Sequence, residues 1–302
     1  MKHIALIGYG EVGRILAEDL RAKDMAVSAF DLRPDGRPHA AQHGVAFAAS
    51  HAQAVAQADL VISAVTASQA VPVAEACAQA LVPGAYFLDL NSASPGAKGR
   101  AADLVDAAGG RYVEGAVMTS LPPYRIAVPL LLGGPHAEAL MPLINALGFK
   151  ARVADARLGV ASATKMCRSI MIKGLEAMVI ESFTSARHYG VEDAVIASLR
   201  ETFPGIDWEK QASYFFQRVI EHGRRRSEEV REVAVTVREA GLVPHSASGT
   251  ADRQAWMADL ADAGRFGEKG APGFARSTDW RVEADRILAA AGAEPALNRN
   301  PA

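Results

Sequence analysis

IALIGYGEVGRILAEDL, residues 4–20, places Gly8, Gly10 and Gly13 in the spacing G-x-G-x-x-G. The apolar run IALIG predicts a buried strand, and the apolar spacing of EVGRILAEDLRAK predicts a helix. A first glycine at such a junction permits the tight turn, a second lets backbone approach a pyrophosphate, and a third lets helix and strand pack closely. The helix start then offers free N–H groups and a positive dipole end to phosphates. Three glycines alone say little, but strand before and helix after make the motif specific. An acid follows at the expected distance: Asp31 closes AVSAFD, eighteen residues beyond Gly13. A carboxylate there accepts hydrogen bonds from ribose hydroxyls and repels a 2′-phosphate, which favours NAD; its other reading is the start of the DLRPDG turn. Arg33, two residues on, can pair with a phosphate, so NADP stays possible.

Outward from this start, the first half of the chain alternates strand-like and helical runs, the pattern of a parallel sheet with crossover helices. IALIG, AVSAF, ADLVISAV, AYFLDL and RYVEGAV are the clearest strands, with AVPLLLGG and KARVAD later. SQAVPVAEACAQAL, SPGAKGRAADLVDAAG and PHAEALMPLINALG have helical spacing. After Leu158 strand signals stop. EDAVIASLRETF, WEKQASYFFQRVIEH, RRRSEEVREVAVTVREAG and DWRVEADRILAAAG all repeat near the helical period. The expected fold is therefore α/β: a Rossmann-like, doubly wound, mainly parallel sheet over residues 1–156, then an all-α domain over 157–302. The last residues, AEPALNRNPA, read as a loosely held tail.

The 302 residues are half hydrophobic and nearly charge-balanced, with a net charge of -2, so nothing electrostatic points to nucleic acid or a membrane surface. No run approaches bilayer-spanning length, and the N-terminus starts on a strand rather than a leader, which predicts a cytoplasmic location. Cys77 and Cys167 sit in apolar helical patterns and read as buried thiols. No metal site is expected, because His39 and His43, four apart, flank a Pro- and Gly-rich turn region.

GVASATKMCRSIMIKGLEAM, residues 159–178, predicts one helix that carries Lys165, Arg168, Ser169 and Lys173 on one stripe. The opposite face, with Val160, Met166, Cys167, Ile170, Met171 and Met178, reads as core. A lysine takes an alcohol proton only in its neutral form, and burial and nearby cations disfavour the charged form. The stripe reads either as a solvated cationic face or as a site in which, with Lys165 as base, Ser169 is the orienter and Arg168 or Lys173 a carboxylate clamp, although either cation could instead pair with Glu176. Arg224, Arg225 and Arg226 are interleaved with Glu221, Glu228, Glu229 and Glu232. They read either as a solvated, ion-paired face or as a source of one substrate-binding arginine. Trp208, Tyr214, Phe215 and Phe216 read as core or subunit contact.

Together the glycine start, the helical second half and the lysine helix make the chain resemble the β-hydroxyacid dehydrogenase family of 3-hydroxyisobutyrate and 6-phosphogluconate enzymes. KMCRSIMIKGLEA resembles its phosphogluconate-dehydrogenase-like branch. DLNSASP, residues 89–95, is similar to the family's D-x-S-T-x-x-P loop, which implies substrate roles for Asn91 and Ser92; capping or turn roles are the alternative. EGAVMTS, residues 114–120, falls at its D-A-P-V-S-G-G segment, implying substrate contacts for Thr119 and Ser120, with Met118, Thr119 and Ser120 departing from Ser-Gly-Gly. Lys165 falls on the family's catalytic lysine. Arg168 and Ser169 replace the usual Asn-Asn or His-Asn, and Ile172 stands where phosphogluconate enzymes carry a glutamate, which disfavours oxidative decarboxylation. The cofactor set implied is Gly8, Tyr9, Gly10, Glu11, Val12, Gly13, Asp31, Arg33, Val65, Thr66 and Asn91.

The expectation is an NAD-preferring dehydrogenase of a small anionic hydroxyacid bound between the two domains, acting as a homodimer. One rival is an imine or other carbonyl reductase on the same scaffold, against which the retained lysine argues. The other is a non-catalytic NAD-binding sensor or partner module.

Overall fold

The computed structural model describes residues 1–275 and 277–292; the tail AEPALNRNPA lies outside the described residues. Two compact units divide at Cys167 and Arg168.

The first unit is built on β1 (His3–Ile7), β2 (Ala26–Phe30), β3 (Ala46–Phe47), β4 (Leu60–Ser63), β5 (Tyr86–Asp89), β6 (Arg111–Val117), β7 (Pro129–Gly133) and β8 (Lys150–Asp155). They form one sheet in the order β3-β2-β1-β4-β5-β6-β7-β8. Every neighbouring pair is parallel except β6 with β7. Strand pleating sends alternate residues to opposite faces. Ile4, Leu6, Leu60, Ile62 and Leu88 join one core, whereas Ala5, Ile7, Val61 and Phe87 join the other. The helices α1 (Glu11–Arg21), α2 (Arg37–Gln42) and α6 (Ala137–Ala146) cover the first face. α3 (His51–Val55), α4 (Ala70–Ala78) and α5 (Pro95–Ala107) cover the second. Burial of both sheet faces explains why the strands read as continuous apolar runs.

α7 (Val160–Tyr189) begins in the first unit and ends in the second. The second unit adds α8 (Glu192–Thr202), α9 (Trp208–Glu239), α10 (His245–Asp262) and α11 (Trp280–Ala290). Its core gathers Phe183, Trp208, Phe215, Phe216 and Trp280, while Tyr214 is exposed. α9 is one helix where the sequence suggests two. Gly223 does not break it, because an added Cβ there would lie 2.7 Å from the Gln254 carbonyl oxygen of α10, so the glycine permits a close helix crossing. α10 has no sequence-based counterpart.

The apolar face expected on the lysine helix is partly inverted. Met166 is buried, but Met171 is 70% and Met178 60% exposed, and Cys167 is exposed while Cys77 is buried. Ser169, Lys173 and Glu176 are buried instead. Charges can occupy such positions when paired. Lys173 Nζ lies 2.9 Å from Glu229 Oε2. Glu176 accepts from Arg226 and from Gln254 Nε2, the latter at 3.2 Å. Arg226 is thus interior rather than solvated, whereas Arg224 pairs at the surface with Asp259 and Asp262. Among the described residues no helix is long and apolar enough to cross a membrane.

Candidate active site

Strand order reverses between β1 and β4, and the loops leaving their carboxyl ends open a crevice, the usual ligand position in such sheets. Gly8 follows β1 with φ +93, and a Cβ on it would lie 2.3 Å from the Ala64 carbonyl oxygen. One on Gly13 would lie 2.1 Å from the Gly8 carbonyl oxygen. Gly10 caps α1 without a side-chain hydrogen bond, leaving the first-turn N–H groups, from exposed Glu11 and half-buried Val12 onward, available to an anion. This cradle fits a dinucleotide pyrophosphate.

Asp31 Oδ2 accepts the Tyr9 N–H at 2.7 Å and Oδ1 accepts the Arg33 N–H at 2.9 Å. The acid therefore stands at the glycine loop, with lone pairs left for a ribose hydroxyl. The Arg33 guanidinium lies over Gly10, 3.6 Å from where a Cβ would be. The Tyr9 side chain points inward: it is 1% exposed and hydrogen-bonds His39, so only its backbone faces the loop.

Four strands meet in one register row at the carboxyl edge: Ile7, Ser63, Asp89 and Glu114 are successive partners, with Gly133 next. Ser63, Asp89 and Glu114 are fully buried, and each holds a piece of the site. Asn91 Nδ2 donates to Ser63 Oγ at 2.9 Å, and Asn91 Oδ1 accepts the Val65 N–H at 2.6 Å. Asn91 thus ties the loop after β4, with half-buried Val65 and exposed Thr66, to the loop after β5. Asp89 receives the Lys98 ammonium at 2.9 Å and the Tyr112 hydroxyl at 2.7 Å. Burial, with the Asp89 carboxylate beside it, holds the Tyr112 phenol protonated well above its usual range. Glu114 accepts the N–H of Ala161 at 3.0 Å and of Ser162 at 3.2 Å, capping the first turn of α7.

One turn further along α7, Lys165 Nζ donates to Ser92 Oγ at 2.6 Å. The two segments that the resemblance singled out therefore converge: Ser92 from the loop at the carboxyl end of β5 and Lys165 from a helix whose start is fixed by β6. Thr119 is exposed and Ser120 half-buried in the loop after β6, where the Met118 N–H reaches the Pro129 carbonyl at 3.0 Å. Arg168 is exposed, and buried Ser169 and Lys173 follow on α7. Lys173 has its charge matched by Glu229, which removes it as a ready-made carboxylate clamp. Sequence reasoning missed Lys98, Tyr112 and Glu114. Only Glu114 left a signal, an acid inside the apolar strand RYVEGAV.

The NAD binding domain of 6-phosphogluconate dehydrogenase matches residues 3–147, and a domain of unknown function, DUF1932, matches residues 186–257. The solved structure of a conserved hypothetical protein from Sinorhizobium meliloti 1021 is 36% identical, with 95% of this chain and 97% of that chain covered and a TM-score of 0.76. The chain belongs to one family with this conserved protein, and its first half is an NAD binding domain of the 6-phosphogluconate dehydrogenase kind. A Mycobacterium tuberculosis 3-hydroxyisobutyrate dehydrogenase with L-serine shares the fold, with 20% identity, TM-score 0.73 and coverage of 95% and 99%. An NADPH-dependent reductive aminase from Aspergillus oryzae is 27% identical over 46% of this chain and 44% of its own length. The protein thus has an NAD(P)-binding, dehydrogenase-like fold, shared with 3-hydroxyacid dehydrogenases and imine reductases.

Proposed function

We propose that the protein oxidises a small anionic hydroxyacid, or reduces the corresponding keto acid or semialdehyde, with Lys165 as general acid/base. The observation that carries this is the 2.6 Å contact between Lys165 Nζ and Ser92 Oγ beside the carboxyl edge of a dinucleotide-binding sheet. A bound NAD(P) supplies the hydride acceptor. Neutral Lys165 takes the proton of the substrate hydroxyl, and in the reverse direction its ammonium returns it. Ser92 orients the amine and competes for the same hydrogen-bonding position that a substrate hydroxyl takes. Glu114 keeps the first turn of α7 in place, and Asn91 holds the loop that carries Ser92. Asp31 favours NAD by its charge, while Arg33 supports tolerance of NADP. Arg168 is the cation offered to a substrate carboxylate.

Reductive amination or imine reduction is the second reading, supported by the partial likeness to the Aspergillus oryzae enzyme. An assay of purified protein over 2- and 3-hydroxyacids with NAD and with NADP, beside ketone–amine pairs with NADPH, separates the two. Hydroxyacid-dependent NADH formation supports the first reading. Turnover confined to ketone–amine pairs replaces it with the second. Cofactor binding without any turnover revives a non-catalytic NAD-binding module.

A further inference from the structure

On the face of the sheet covered by α1 and α2, three potential metal ligands come together away from the lysine site. Glu18 comes from α1, His39 from α2 and His43 from its C-cap, and their ligand atoms lie within 4.8 Å of one another. The turn assigned to this segment by sequence is therefore helical, and it presents the two imidazoles as an i, i+4 pair with rings 4.2 Å apart. We propose that Glu18, His39 and His43 bind one divalent transition-metal ion of the zinc or nickel kind.

The argument rests on how the far side of each ligand is held. Metal-binding imidazoles and carboxylates are oriented by hydrogen bonds on their non-ligating atoms. His43 Nδ1 donates to the His39 carbonyl at 2.9 Å, which fixes the tautomer that leaves Nε2 as a bare lone pair. Among the described residues that Nε2 has no hydrogen-bond partner. His39 Nδ1 lies 3.2 Å from the Tyr9 hydroxyl, and Glu18 Oε2 accepts from Arg125 Nη2 at 2.7 Å. The remaining atoms, His39 Nε2 and Glu18 Oε1, face each other at 2.9 Å, a separation that two ligands of one small cation share. In the metal-free protein a proton on Nε2 bridges them; with metal bound, that proton sits on Nδ1 and is donated to Tyr9.

Arg125 is shared between Glu18 and Asp19, and Arg21 Nε donates to the His43 carbonyl at 3.3 Å, so the acids and guanidiniums around the ligands balance and no excess of positive charge opposes a cation. Two imidazoles and one carboxylate select borderline metals over Mg²⁺ or Ca²⁺, and the half-buried setting, with His39 21% and Glu18 31% exposed, leaves water to complete the shell. Because Tyr9 belongs to the glycine loop, an ion here ties α1 to α2 directly beneath the dinucleotide cradle.

The test is calorimetric titration of Zn²⁺ into tag-free, chelator-stripped full-length protein, repeated on Glu18→Gln, His43→Ala and His43→Gln, with His51→Ala as a control. The second His43 variant keeps a polar side chain should alanine disturb α2. The expected result is one bound equivalent, unchanged in the control and weakened at least about tenfold in Glu18→Gln and in either His43 variant. The absence of a stoichiometric site, or equal affinity in Glu18→Gln and the His43 variants, overturns the proposal.

Discussion

At the scale of single residues, the site depends on buried polar groups that sit behind the reactive pair. Glu114 fills the space beside Gly133 so closely that a Cβ on Gly133 would lie 2.3 Å from Glu114 Oε1. Gly133→Ala must therefore displace the carboxylate that caps α7, and overpacking of this kind costs about 1–3 kcal/mol. Urea unfolding should show that loss, and Gly133→Ala should be more damaging than Gly99→Ala on α5, where a Cβ meets nothing within 4 Å. Equal stabilities would mean that the cap is not rigid. The glycine loop and Asp31 could be named from motif spacing, and Ser92 and Lys165 through the family resemblance, so each left a signal in the sequence. Lys98 and Tyr112 could not, since their importance comes only from meeting Asp89 across sheet and helix. Asn91 was singled out as a ligand-binding residue, and its amide proves to be engaged with Ser63 and Val65.

At the scale of elements, the sheet was legible because parallel strands buried on both faces read as unbroken apolar runs. α7 was harder. Its buried stripe carries Lys173 and Glu176, which periodicity assigns to solvent, and their partners on α9 and α10 make the interior positions tolerable. α10 was missed because the start of His245–Asp262 is rich in serine and small residues and has Gly249 in its second turn, which lowers helix propensity. The contact between α9 and α11 gives a pH-dependent prediction. Glu209 accepts from Arg281 at both carboxylate oxygens, each at 3.0 Å, and from Trp280 Nε1 at 2.9 Å. The hydrogen bonds from Arg281, and secondarily that from Trp280, hold the Glu209 carboxyl below its ordinary 4.5. A depressed acid stabilises the fold above its unfolded value and loses that contribution as pH falls through the folded one. Glu209→Gln should therefore be less stable than the parent protein at neutral pH, and the gap should narrow at a pH well below the ordinary carboxylate range. Denaturant midpoints at both pH values read this directly; a constant gap would assign the contribution to packing rather than charge.

At the scale of the whole molecule, the division into an α/β unit and a helical unit follows from the point at which strand signals stop, and the family resemblance carries across both. The exposed side of α7 was not foreseen. Met171 and Met178 leave an apolar stripe in solvent with Ile172 beside them at 41% exposure, and stripes of this kind mark association surfaces. We propose that a second copy of the chain covers it, in a homodimer. Light scattering should give a dimeric mass that Met171→Asp reduces to the monomer, whereas a monomeric parent would remove the proposal. The account as a whole turns on Lys165. The decisive measurement is hydroxyacid-dependent NADH formation by Lys165→Ala beside the parent protein, with NADH affinity measured on both. Loss of a positioned general acid/base should lower kcat by about 10²–10⁴-fold while cofactor affinity stays within about twofold. Turnover that survives the substitution undiminished would contradict the assignment of Lys165 as the base.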